Sequence, residues 1–165
     1  MENTALWYRR FGPPEEVLEL ETEEIDGPGA GQVRVRMACA PINPSDLIPI
    51  TGAYRHRVRP PCVAGYEGVG VVTHADGAAR GLIGTRVLPL RGAGTWQQFV
   101  DVESGWIVPV PDEIDGGTAG RAYINPLAAL LMLKRWNPVG RRVLLTGAGS
   151  CCAGLLAQWA LAAGA

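Results

Sequence analysis

The stretch from Ile42 to Gly70 constrains the fold of this chain more than any other. Ile42-Asn43-Pro44-Ser45-Asp46-Leu47 is followed by Thr51-Gly52-Ala53-Tyr54 and then by Gly65-Tyr66-Glu67-Gly68-Val69-Gly70. Pro44 fixes its own φ and pushes Asn43 into an extended conformation, and Ser45 or Asp46 can cap a short helical turn. Polar side chains are therefore aimed from a rigid corner, as in a pocket wall. The glycines at 65, 68 and 70 let a strand pass close to another backbone or to a ligand, where a Cβ would collide. A Pro-ended strand, a turn and a Gly-punctuated strand with no ligand fit the same local pattern, because turn chemistry is common.

Around this stretch the chain reads as β-rich. Residues 4–9 and 17–20 form short strands about the turn Phe11-Gly12-Pro13-Pro14, and the acidic stretch Glu19 to Asp26 ends in the loop Gly27-Pro28-Gly29. Gln32 to Ala38 alternates apolar and polar residues with period two, which predicts a strand with one face buried. Further strands are expected over Gly68 to Thr73, Thr85 to Leu90, Gly94 to Val100 and Trp106 to Val110.

Near residue 117 the composition changes. Asn125-Pro126 predicts a helix start, with Asn125 as N-cap and Pro126 at the first helical position. Leu127, Leu130 and Leu131 share one face, Lys134 and Arg135 suit the last turn, and Asn137-Pro138 stops the helix. Arg142 to Gly147 then reads as a buried parallel strand, running through Gly147-Ala148-Gly149-Ser150 into a helix from Cys151 to Ala163. Strand, small-residue turn and helix are the opening of a dinucleotide-binding domain, with the backbone N–H groups of Ser150, Cys151, Cys152 and Ala153 placed to meet a pyrophosphate. Except for Gln158 the helix is apolar all round and needs cover on several sides, so the chain is expected to be the front portion of a larger protein.

The totals exclude several classes of function. A formal charge of -1, with 19% charged residues, offers no basic face for nucleic acid, and the single local cluster is Arg55-His56-Arg57-Val58-Arg59. The apolar run from Cys151 to Ala165 is shorter than the roughly 20 residues of a membrane span. Four cysteines and two histidines show no zinc-ligand spacing, so no metal is expected. The cysteines read as small buried hydrophobes in a reducing cytoplasm.

The motifs together resemble the N-terminal half of a zinc-lacking, quinone oxidoreductase-like medium-chain dehydrogenase/reductase. The resemblance covers essentially the whole chain. Asn43 and Tyr66 stand where zinc-dependent alcohol dehydrogenases carry a catalytic Cys and His, while Glu67 is retained as a structural carboxylate. Gly94-Thr95-Trp96 and Ile124-Asn125-Pro126 followed by Met132-Leu133 are similar to segments of mitochondrial-type trans-2-enoyl-CoA/acyl-carrier-protein reductases. This chain departs from them in carrying Leu130 for a usual Tyr and Tyr66 for a usual Asn. Aligned on that family, the three fingerprint glycines are Ala148, Ser150 and Ala153, with Gly147, Gly149 and Gly154 one place out.

The resemblance implies a mixed α/β fold. A GroES-like β-rich substrate domain over 1–116 would be followed over 117–165 by a linker helix and the first β-α unit of an incomplete Rossmann domain. It implies NADPH as cofactor, a homodimeric complete protein, and an enoyl thioester or a quinone or alkenal as substrate. Tyr54 and Asn43 would be the catalytic residues, and Asn43, Asn125, Gly149, Ser150, Cys151, Cys152 and Ala153 would contact the cofactor. Tyr54 also fits a turn aromatic packing on a pocket rim, and Asn43 an Asx-type cap. A non-catalytic remnant of such an enzyme is the reading from a different class, and the chain alone is expected to bind dinucleotide weakly and to self-associate.

Overall fold

The computed structural model describes residues 1–92 and 94–165. They form two compact units, Met1–Arg121 and Ala122–Ala165. The first contains β1 (Glu2–Tyr8), α1 (Pro14–Val17), β2 (Leu18–Glu24), β3 (Gln32–Cys39), α2 (Pro44–Leu47) and β4 (Cys62–Val63). β5 (Val69–Ala75), β6 (Arg86–Pro89), β7 (Phe99–Glu103), β8 (Ile107–Pro109) and α3 (Gly116–Gly120) follow. Strands β2-β1-β4 make one sheet and β7-β3-β5-β6-β8 another, with all pairings antiparallel.

Alternation places Val33 and Val35 of β3 inside, where they pack with Val72, Val87, Val100 and Val102 of the neighbouring strands. A second cluster joins Tyr8, Val17, Ile50 and Ala64 under the smaller sheet. β3 is buried on more than one face, because Arg34, opposite the valines, is only 2% exposed. Its guanidinium meets Asp101 of β7 in a two-pronged pair, 2.7 and 2.6 Å, and donates to the Asp26 carbonyl at 2.5 Å, so the preceding loop covers that face.

Several elements differ from the sequence expectation. The acidic residues from Glu19 to Glu24 lie in β2, an edge strand whose side chains are mostly exposed, so charge is tolerated there. The strand expected from Gly94 begins only at Phe99. Residues 94–98 instead cross between the sheets, with Trp96 bonded to Leu6 and Ala64 and Gln98 to Thr4 and Met37, so no single ladder forms.

The second unit contains α4 (Ile124–Arg135) and α5 (Cys151–Ala162), packed against each other. Tyr123, not Asn125, is the N-cap of α4, and Leu127 N–H bonds to the Tyr123 carbonyl at 3.0 Å. Asn125 and Pro126 fall within the first turn, where a proline's missing N–H interrupts no i to i−4 bond, so the proline is accommodated there. Arg142 to Gly147 forms no strand: a strand exists through its ladder, and among the described residues none pairs with this segment. α5 has the expected start, capped by Ser150 Oγ, which accepts from Ala153 N–H at 3.2 Å.

Candidate functional site

The site is assembled at the corner between β3 and α2. Asn43 is the N-cap of α2 in an extended conformation, φ -103° and ψ 152°, as the following proline requires. Asp46, three residues on and 2% exposed, reaches back to accept the Asn43 N–H at 2.6 Å. Its second oxygen accepts the backbone N–H of Tyr66 at 3.0 Å. One buried carboxylate thus fastens the corner to the glycine-punctuated segment. The Asn43 side chain completes the connection by donating from Nδ2 to Glu67 Oε1 at 2.9 Å, and Glu67 is 1% exposed.

The Gly94-Thr95-Trp96 segment closes the same cluster. Thr95 Oγ1 donates to the Glu67 carbonyl at 2.7 Å, and Trp96 Nε1 donates to the Pro41 carbonyl at 3.0 Å. Gly65 makes room for both: its φ is +93°, and a Cβ there would lie 2.5 Å from Trp96 Cδ1 and 2.6 Å from Thr95 Oγ1. Three separate stretches of sequence therefore converge through side chains on one backbone corner.

Beside this cluster lies a cavity of about 270 Å³, lined in part by Tyr8, Asp46, Arg57, Cys62, Tyr66 and Gly92. Burial raises the Tyr66 phenol above its ordinary value of 10.0, and the nearby Tyr54 adds to the effect. Tyr8 is raised as well, first by burial and then by its hydrogen bond with Cys62. Tyr54 is half-buried in the loop after α2. The Arg57 guanidinium lies 4.9 Å from its ring centroid and the His56 ring meets it edge-on at 6.2 Å. Its carbonyl accepts from the N–H groups of Arg57 and Val58, which fixes the loop that carries it.

The residues expected from sequence divide between the two units. Asn43 and Tyr54 belong to the first; Asn125, Gly149, Ser150, Cys151, Cys152 and Ala153 belong to the second. There Ser150 caps α5, Cys152 Sγ lies 4.0 Å from the Asn125 carbonyl, and a Cβ added to Gly149 would meet nothing within 4 Å. Sequence reasoning missed Asp46 as the fastener of the corner and Tyr66 as a lining residue. The signal for Asp46 was present as an Asn-x-x-Asp capping spacing across the start of α2. Among the described residues no three His, Cys, Asp or Glu side chains converge as a metal-binding group.

Known proteins resemble this chain in sequence and in fold. A model of the alcohol dehydrogenase GroES-like domain matches residues 29–112, just over half of the chain. A mitochondrial enoyl-[acyl-carrier-protein] reductase of Caenorhabditis elegans is 37% identical over 139 residues, covering 82% of this chain and 40% of the relative. The crystal structure of a putative NADPH:quinone reductase from Bacillus thuringiensis superposes with a TM-score of 0.93 at 43% identity, covering 99% of this chain and 50% of that one. A complex of Etr1p with NADP and crotonyl-CoA shares the fold at a TM-score of 0.79 and 22% identity, over 99% of this chain and 52% of that one. The chain thus spans about two fifths to half of the length of these relatives. Through the match over residues 29–112, and the fold that accompanies it, the chain belongs to the alcohol dehydrogenase GroES-like family, within the medium-chain dehydrogenase/reductases.

Proposed function

We propose that this chain forms the substrate-binding part of an NADPH-dependent, zinc-independent reductase that saturates the C=C bond of 2-enoyl thioesters. The observation that carries the reading is the corner itself: the Asn43 amide is bound to Glu67 beside a cavity lined by the phenols of Tyr8 and Tyr66, where metal-dependent relatives would need His and Cys donors. The name of the 37% identical relative supports the enoyl thioester, and that of the 43% identical structure supports NADPH.

When bound, the cofactor supplies a hydride to the β-carbon of the alkene. The chain's own residues manage the charge that follows. Asn43, held by Glu67, orients the carbonyl end of the acceptor, and a phenol stabilises the negative charge that develops on its oxygen. Tyr54 gives its proton to the α-carbon and is reprotonated from solvent. The start of α5 suits a pyrophosphate, since the first-turn N–H groups of Cys151 and Cys152 stand at the positive end of a helix whose entry carries only small residues. Arg55, Arg57 and Arg59, all exposed and without an ion pair among the described residues, would steer a phosphorylated carrier toward the cavity. In the full protein we expect a homodimer.

A reductase of quinones or alkenals is the second reading, favoured by the name of the structure most like this one among those compared above. Steady-state assay of the full protein with crotonyl-CoA and simple quinones, using NADPH, separates the two. Tyr54→Phe in that protein is expected to lower kcat by roughly 10²- to 10⁴-fold. Wild-type rates in that variant would remove Tyr54 from the chemistry, and a raised KM with kcat intact would make it a positioning residue.

A further inference from the structure

We propose that Tyr66 is a substrate-contacting, specificity-determining residue: its phenol donates a hydrogen bond to the carbonyl oxygen of a small acceptor bound in the cavity beside α2. The inference rests on the reductase reading and deepens it, because it assigns the oxygen to Tyr66 and leaves the proton of Tyr54 for carbon.

The backbone of Tyr66 is held by the Asp46 carboxylate that also holds Asn43, so phenol and amide share one anchor. The ring is fixed from its other side. Gly92 has φ +66°, and a Cβ there would lie 2.5 Å from Tyr66 Cδ1, so only glycine leaves room for the ring. The preceding residue, Arg91, is also left-handed, φ +67°, an uncommon conformation for a side-chain-bearing residue. A backbone bent in this way to seat one tyrosine indicates that the position of the ring matters.

The hydroxyl, by contrast, is uncommitted. Tyr66 lines the cavity, and among the described residues no side chain or carbonyl bonds to its oxygen. Burial raises its pKa above 10.0, so it remains a protonated donor throughout the neutral range. Tyr54 is not among the lining residues. A cavity of about 270 Å³ lies just under the usual range of roughly 300–1,000 Å³ for ligand sites, which suits a short acyl group or a single ring.

The test uses two probes of one shape on the 165-residue chain, cyclohexanone and methylenecyclohexane, which differ in whether the exocyclic atom accepts a hydrogen bond. Neither is a conjugated alkene, so the four free thiols do not capture them. Dissociation constants are read from NMR titration of the wild type and of Tyr66→Phe, with the spectrum of the variant confirming its fold. Tyr66→Phe should weaken cyclohexanone by about 3- to 10-fold, the effect of one neutral hydrogen bond, and leave methylenecyclohexane within about 2-fold. Equal loss for both probes, no loss for either, or no saturable shift in the wild type would overturn the proposal. Turnover in the full protein judges the reductase reading separately. Turnover of crotonyl-CoA with Tyr66→Phe indifferent in both KM and probe binding sinks this inference alone, whereas carbonyl-selective binding without turnover of any acceptor sinks the reductase reading and retains the assignment of Tyr66.

Discussion

Asn43 and Glu67 stand 24 residues apart in sequence and meet through a 2.9 Å hydrogen bond from side-chain amide to carboxylate. The bond joins the N-cap of α2 to the segment entering β5, and with the capping box of α2 it orients the Asn43 amide. Glu67→Gln keeps an acceptor oxygen at that place, whereas Glu67→Ala leaves a buried amide donor short of one partner. The alanine variant should therefore lose about 1–3 kcal/mol more stability than the glutamine variant in urea unfolding. Equal losses would mean that the pair is incidental to the corner.

Asp46 makes a stronger case, since each carboxylate oxygen accepts a backbone N–H and the side chain is 2% exposed. In Asp46→Asn one of those N–H groups faces an amide NH₂ instead of an oxygen. A loss of about 2–3 kcal/mol is expected, the usual size for a buried charge-assisted bond replaced by an unsatisfied donor. Asp46→Ser, which can still cap but cannot span both partners, should fall between wild type and Asn. An unchanged unfolding midpoint in Asp46→Asn would show that the corner is held by packing alone.

How far the sequence reveals this site depends on the range of the interactions. The corner, the glycine positions and the period-two strand Gln32 to Ala38, which the fold extends to Cys39, are legible because proline, glycine and alternation act on their own neighbours. Arg34 was not, since its cover comes from Asp26 and its ion partner from β7, 67 residues away. The segment after Gly94 misled for a similar reason: its residues have strand character, but its bonds are shared between two sheets. Arg142 to Gly147 has the composition of a buried strand, and composition carries no information about whether a neighbour is there to pair with it. Tyr66 was read from its position in a motif, and its seat on Gly92 became visible only in three dimensions.

Asp115 gives a pH-dependent prediction. It caps α3 by accepting the Thr118 N–H at 3.0 Å, and that bond holds its carboxyl below the ordinary value of 3.8. Because the folded-state pKa is lowered, the contribution is complete above the unfolded value and is lost as the pH falls through the lower folded value. Asp115→Ser replaces the titrating cap with a neutral one. The Tm of that variant should be closer to wild type at pH 3 than at pH 6. A constant difference across the range would mean that the carboxylate does not feel the helix end.

Two glycines with opposite surroundings test how tightly the site constrains the backbone. At Gly65 the φ of +93° is unfavourable to any side chain, and a Cβ would strike both Thr95 and Trp96, the residues that link the corner to the crossing segment. Gly65→Ala must shift one or both, so a destabilisation of about 3 kcal/mol or more is expected, with changed Trp96 fluorescence as its local sign. Gly154 lies inside α5, where a Cβ would meet nothing within 4 Å. Gly154→Ala there only removes backbone freedom from the unfolded chain and should raise stability by about 0.5–1 kcal/mol. The two substitutions are chemically identical, so opposite signs in one unfolding assay would locate the constraint at the corner. A mild effect at Gly65 would instead mean that Thr95 and Trp96 can yield, and that the seat they form beside Glu67 is softer than contacts of 2.5 and 2.6 Å imply.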